Sequence, residues 1–372
     1  VAAALVAAAR GEDTTPAAKP EPRWLVGDLH VHVSPPDADG HSALTVASAV
    51  AAARKAALDF IVITPHGADR MFASPRGPEV PQVSGQELVA GLAAAVAKED
   101  AAARPLVVVS GWEFTRESPG HLGLSFFRMA DLAGAADDDK AKVALAKGAL
   151  VVVNHPFFRP VTSDLPIMKL LDGDRRWRPF FGETKDDLHW NAIEVWHERS
   201  VLVQKMHQSL AAKFPDTQMA ADSLKAWDAA TLAQKRRIVA VGGSDCHGRL
   251  PYALAPMALV SVRADSADEE GLHRGLLAAH VTFGRDGGPA ARDFTATSDV
   301  AGQTASIGDS LAAKSEVRLA WSGTAVLVEN GERVGEFDGG TTRKLASSGA
   351  FASWRIEKPN DAYSNCIYAN LP

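Results

Sequence analysis

Cysteine is nearly absent. Two residues, Cys246 and Cys366, in a chain of 372 exclude a disulfide framework and any paired-cysteine zinc motif, so a bound metal must use histidine and carboxylate. Long apolar runs are missing too: the longest candidate, residues 1–9, is about half of the roughly 20 residues that cross a bilayer. An excess of basic charge is also lacking. Lys+Arg 39 against Asp+Glu 45 leaves a net charge of -6, so no global basic field exists to hold a nucleic-acid backbone or an anionic membrane. What is there is a globular composition, 46% hydrophobic and 23% charged, in a length that suggests one large domain plus a smaller one.

Residues 1–22 open with VAAALVAAAR and continue through Thr/Pro/Ala-rich GEDTTPAAKPEP. The segment resembles the apolar stretch and small-residue exit of a secretory signal without its basic start, and export is expected, a short helix with a linker being the alternative. From residue 24 onward, β-branched runs alternate with alanine-rich stretches, the pattern of βα units around a mostly parallel sheet or barrel. Strands are expected at residues 24–33, 59–64, 106–113, 149–154, 192–196, 238–244 and 257–262, and helices at 44–57, 86–99 and 267–279, the last two behind the capping boxes SGQE (84–87) and SADE (266–269). Residues 157–191 lose the pattern and read as an insertion over one end of the sheet. Beyond residue 288, alternating runs at 316–321 and 324–328 and an Asn330–Gly331 turn predict a small β domain over 292–372.

Six of the 12 histidines sit at or just after expected strand ends, beside turn-forming or acidic residues. In GDLHVHV (27–33) side chains alternate between faces, so Asp28, His30 and His32 point one way and Leu29, Val31 and Val33 the other. Two inward imidazoles and a carboxylate are costly when buried without partners, at about 1–3 kcal/mol per unpaired group. His66 closes FIVITPH, Glu113 ends LVVVSGWE, His155 follows ALVVVN, and IVAVGGSDCH carries Asp245 and His247 two apart. In a βα barrel such strand ends open onto one rim. Converging Asp39, Glu113 and Asp245 there would repel one another unless divalent cations reverse the sign.

With these residues in view the chain resembles the polymerase and histidinol phosphatase (PHP) superfamily of metal-dependent hydrolases, over roughly residues 24–288, and within it the carbaryl-hydrolase-like branch, which adds a short β module. The resemblance implies a distorted (βα)7 TIM-like barrel (residues 23–288) with two or three divalent metals, Zn, Mn or Fe, at its rim. It carries the Asp-x-His-x-His motif onto Asp28, His30 and His32, and the acidic-Gly pair onto Asp39–Gly40, with Asp37 and His41 as rivals. It places further ligands at His66, Glu113, His121, His155, Asp245 and His247, with Glu113 bridging two metals. Pro65 stands where the family often has Asp, so a carboxylate beside His66 is expected to be missing.

The resemblance implies hydrolysis: a hydroxide bridging the metals attacks phosphorus, aided by Glu113, Asp245 and an arginine, for which Arg159 is first choice and Arg70 and Arg128 are competitors. The substrate expected is a small-molecule phosphoester; an aryl carbamate or carboxylic ester is the alternative. A non-catalytic metal-containing binding module is the reading of another class, disfavoured because nine ligand positions exceed the four of a closed structural zinc site. Asp28 is expected to hydrogen-bond a ligand histidine, and Glu194 to contact a ligand, a substrate or a buried salt-bridge partner. Cys246 is expected to pack on the opposite face. Trp177, Phe180, Phe181 and Trp190 either cap the site or bury the insertion, and His189, His197, His207, His273 and His280 receive no role.

Overall fold

The computed structural model describes residues 21–34, 37, 42–66, 105–115, 121–136, 139–156, 189–197, 219–248, 258–358 and 361–372. Strand β1 (Arg23–Val31) lies between β2 (Phe60–Ile63), parallel to it, and β8 (Ala258–Ala264), antiparallel to it. Helix α1 (Val46–Lys55) starts at Thr45, whose hydroxyl accepts from the Ser48 amide while Ser48 accepts from the Thr45 amide, a reciprocal cap. Its Val46, Ala49, Val50 and Ala53 form one apolar stripe, packed with Val31, Leu58, Ile61 and Ile63.

β3 (Val107–Thr115) runs parallel to β2, but β4 (His121–Ser125) is antiparallel both to β3 and to β5 (Leu150–Val153). Only residues 116–120 separate β3 from β4, too few for the dozen or more that a parallel crossover needs. Parallel pairing resumes through β6 (Ala192–His197) and β7 (Val239–Gly243). Past β7, Cys246 bridges to Val31, with the His32 amide donating to the Cys246 carbonyl at 2.9 Å, so the strand order returns to β1. The fold is mixed α/β and strand-rich, and over the described residues a run of seven βα units is not confirmed, because β4, β8 and β9 (Val281–Arg285) pair antiparallel.

Among the described residues, helices α2 (Lys140–Ala146), α3 (Met219–Gln234) and α4 (Glu269–Leu277) also belong to the first unit. The cap of α4 is Asp268, whose carboxylate accepts from the Gly271 amide at 2.7 Å, two residues later than the Ser266 box anticipates. No helix among the described residues is long and apolar enough to cross a membrane.

From residue 295 the chain is all strand: β10 (Thr295–Ser298), β11 (Thr304–Ser306), β12 (Ser310–Leu311), β13 (Glu316–Glu329), β14 (Glu332–Lys344), β15 (Ala352–Lys358), β16 (Ala362–Ser364) and β17 (Ile367–Ala369). β13 is one strand with an irregularity between Ala320 and Thr324, and it turns into β14 at Asn330–Gly331, both at positive φ. Phe294, Trp321, Leu327, Trp354, Ile356 and Ile367 belong to an apolar cluster of their own. Contacts of several kinds tie it to the first unit. β16 pairs with β9; the Asn365 side chain exchanges hydrogen bonds with the Ala240 backbone of β7 at 2.7 and 2.8 Å; and buried Arg355 holds Asp228 of α3 by a two-pronged pair at 2.8 and 3.0 Å.

Candidate metal centre

Alternation along β1 places Asp28 and His30 on the inner face, and His32 follows just past the strand end; all three are buried. His30 donates from Nδ1 to Glu194 Oε1 at 3.2 Å and turns Nε2 toward the middle of the cluster. There Nε2 lies 3.1 Å from His32 Nε2, 3.3 Å from Glu113 Oε1 and 3.6 Å from Asp245 Oδ1. His32 does the same in mirror fashion. Its Nδ1 meets Asp37 Oδ2 at 2.9 Å and its Nε2 lies 3.3 Å from Glu113 Oε2 and 3.2 Å from Asp245 Oδ1.

Glu113, fully buried near the end of β3, is the hub. His66 Nδ1 stands 3.1 Å from its Oε2, and His121 Nδ1 and His155 Nε2 each 3.1 Å from its Oε1. His247 stacks on His32 with ring centroids 4.2 Å apart and donates from Nδ1 to the Asp245 carbonyl. Burial alone would push the Glu113 carboxyl up, but His121, His30 and His66 hold it well below the usual carboxylate range. Burial opposes protonation of His30 and His32 as well, yet Glu113, Glu194, Asp245 and Asp37 raise both well above an ordinary imidazole. For His155 burial prevails and its pKa falls. The backbone is bent to serve this place, since His155 (φ 30) and Asp245 (φ 52) both adopt the left-handed region.

Eight of the nine expected ligands therefore converge: His30, His32, His66, Glu113, His121, His155, Asp245 and His247. The ninth, Asp39, lies outside the described residues, as do its rival His41 and the arginines Arg70 and Arg159. Asp37, the other rival, is buried and accepts from the His66 amide at 2.6 Å. It thereby supplies a carboxylate beside His66, correcting the expectation that Pro65 leaves none. Arg128 is set aside: it is exposed beyond the far end of β4 and pairs with Asp131 at 3.0 Å. Asp28 binds no imidazole; it accepts from the His30 amide at 3.0 Å and from Ser244, locking β1 to the end of β7, and burial raises its pKa. Cys246 is buried and joins β1 through its backbone.

Trp190 is buried in the main apolar cluster, away from any capping role, whereas Trp177, Phe180 and Phe181 lie outside the described residues, as do the expected helix at 86–99, residues 1–20 and His207. His273 donates from Nε2 to the Gly148 carbonyl and stacks on Phe126, and His280 pairs with Asp309. Asn154 was given no role by the sequence, yet its Nδ2 donates to Glu113 Oε1 at 2.9 Å, and a side chain at Gly123 would collide with it. Its place one residue before His155 was the available signal.

The donors fit a divalent cluster. Glu113 Oε2 has no hydrogen bond although it is buried with two ring nitrogens within 3.3 Å. Four groups, His32–His66–His247, His30–His32–Asp245, His30–Glu113–His155 and His66–Glu113–His121, each offer three ligand atoms within 4.8 Å of one another. Nitrogen and oxygen donors in this mix suit Zn, Mn or Fe.

No protein-family model matches the chain, and no curated protein does. Among solved structures it is similar to a two-domain protein from Bacteroides vulgatus ATCC 8482 containing a predicted PHP-like metal-dependent phosphoesterase, at 13% identity and TM-score 0.46 over 93% of this chain and 95% of that one. It is also similar to PsfC from Pseudomonas syringae PB-5123, at 16% identity and TM-score 0.36 over 68% and 88%. A third likeness is to a predicted metal-dependent phosphoesterase from Bifidobacterium adolescentis ATCC 15703, at 13% identity and TM-score 0.32 over 67% and 95%. With TM-scores below 0.5 these likenesses fix neither the reaction nor the ligand set of this chain.

Proposed function

We propose that the chain is a metal-dependent hydrolase of small-molecule phosphoesters, built on a distorted TIM-like barrel over residues 23–288 with residues 292–372 as an attached β domain. The observation that carries it is the surrounding of one buried carboxylate, Glu113, by five imidazoles, those of His30, His32, His66, His121 and His155, each within 3.3 Å. A structural zinc site closes with four ligands; this donor set is larger and supports two or three ions with coordination positions left over for a substrate.

Bound divalent ions of this kind acidify water and offset charge on phosphoryl oxygens. The chain's own residues do the rest. Glu113 spans two groups of donors from one carboxylate, Oε1 toward His121 and His155 and Oε2 toward His32 and His66. Asp245, beside His30 and His32, is placed to take or return a proton at the carboxylate oxygen that a bound ion would leave free. Asn154 fixes the Glu113 rotamer through Nδ2. Arg159, four residues past His155 in the sequence, is the proposed cation for the phosphoryl oxygens.

The test is metal analysis joined to a hydrolysis panel. The purified protein should carry more than one Zn, Mn or Fe per chain and cleave an aryl phosphomonoester or phosphodiester; preference for an aryl carbamate or carboxylic ester would move the substrate class, and a metal-replete protein inert to all of them would overturn the enzyme reading in favour of a binding module.

A further inference from the structure

We propose that Glu194 is a positioning residue that aims two histidines, His30 and His155, at one part of the cluster; this rests on the metallohydrolase reading and extends it to a residue outside the ligand set. Glu194 stands on β6 and is buried. Its two oxygens have separate tasks. Oε1 accepts from His30 Nδ1 at 3.2 Å, and Oε2 accepts from the His155 backbone amide at 2.5 Å. The first contact fixes the ring proton on Nδ1 and leaves Nε2 as the lone-pair nitrogen facing Glu113, which a metal ligand requires. The second holds His155 in its left-handed conformation, φ 30, from which its Nε2 reaches Glu113 Oε1 at 3.1 Å. One side chain thereby sets the tautomer of a residue on β1 and the backbone of a residue just past β5.

The molecule makes room for this carboxylate. Any side chain at Gly243, the last residue of β7, would collide with Glu194 Oε1 and crowd the His30 side chain. His30 and His155, the two residues held by Glu194, share the group His30–Glu113–His155, whereas His32, His66 and His247 form another group. The two groups therefore respond differently to its loss. An amide in place of the carboxylate keeps the shape but offers one acceptor and one donor. If its oxygen keeps the His155 amide, its NH2 faces His30 Nδ1 and drives the ring proton onto Nε2, against the metal.

Zinc titration of metal-free Glu194→Gln by calorimetry tests this. Affinity should fall about 10–100-fold for the ions that use His30 and His155, while the remaining class of sites keeps its wild-type affinity. In 15N-labelled, zinc-loaded protein the His30 Nδ1–H signal should be present in the wild type and lost in the variant. Glu194→Asp, which keeps the charge but is too short to hold both histidines, should show the same site-selective loss and serves if the amide variant does not fold. Unchanged binding, or an equal loss at every class of site, would overturn the role of Glu194 while wild-type zinc binding stands. A wild-type chain that takes up no zinc would instead overturn the metallohydrolase reading on which the proposal rests.

Discussion

At Glu113 two large effects oppose each other. Burial disfavours the charged carboxyl, the imidazoles around it favour it, and the imidazoles prevail. Replacing it as Glu113→Gln keeps the volume but removes the negative charge between two groups of donors. Metal content should drop and turnover should fall by more than about 100-fold, beyond the usual effect of losing an outer partner; metal analysis and the phosphoester assay check both. Asp245→Asn and His30→Ala should likewise lose metal and turnover. The same electrostatics set a pH dependence. In the metal-free protein His30 and His32 hold their protons to well above the ordinary imidazole value, and a metal binds only the neutral ring. Metal uptake near neutrality must therefore expel protons, and apparent affinity must rise with pH until those raised pKa values are passed. Calorimetry in buffers of different ionisation enthalpy should register proton release; none would show that the rings are already neutral. Much of this centre was legible in the sequence because strand alternation fixes which side chains of GDLHVHV share a face. Glu194 and Asp37 were not settled by it. Their partners lie across the fold, as with His30 and Glu194, 164 positions apart, and no local spacing reports such a contact.

Elements obey length as strictly as residues obey chemistry. The reversal at β4 follows from the short connection 116–120, and that much was open to arithmetic, although the pattern of alternating runs pointed to uninterrupted βα units. β9 was harder to read: VTFGR is brief, follows α4 closely, and gains its second neighbour only from β16, far along the chain. Between elements, the decisive contact is ionic. Arg355 on β15 is buried, held by Asp228 of α3 and by Glu357 at 2.5 Å, while Glu357 also accepts from Arg333 at 2.6 Å. The carboxylates keep the Arg355 guanidinium charged despite its burial. Removing Arg355 leaves Asp228 charged without its guanidinium in a dry setting, which costs about 3–5 kcal/mol. Arg355→Met should lower stability by that amount in a denaturant titration, and more than Arg333→Met, because the Arg333 side chain is largely exposed. Equal losses would argue against a special weight for the buried pair.

At the scale of the whole molecule, the β domain expected over 292–372 has its own apolar cluster, yet its boundary with the first unit is sealed by backbone pairing as well as by side chains. β16 hydrogen-bonds along β9, and the Asn365 side chain occupies both backbone groups of Ala240 as a strand would. Cutting the chain after Gly288 would strip β9 of one partner, uncover the Ala240 amide and carbonyl, and leave buried Asp228 without its guanidinium. An unpaired, apolar strand edge of this sort is a template for association. A fragment ending at residue 288 should therefore be aggregation-prone and poor at retaining metal, even though every described candidate ligand lies within it. The check is the solubility, circular dichroism and zinc content of that fragment beside the full chain. A soluble, folded, zinc-loaded fragment would mean that the first unit needs nothing from the strands that follow, and that the seam at β9 joins two independent bodies rather than completing one.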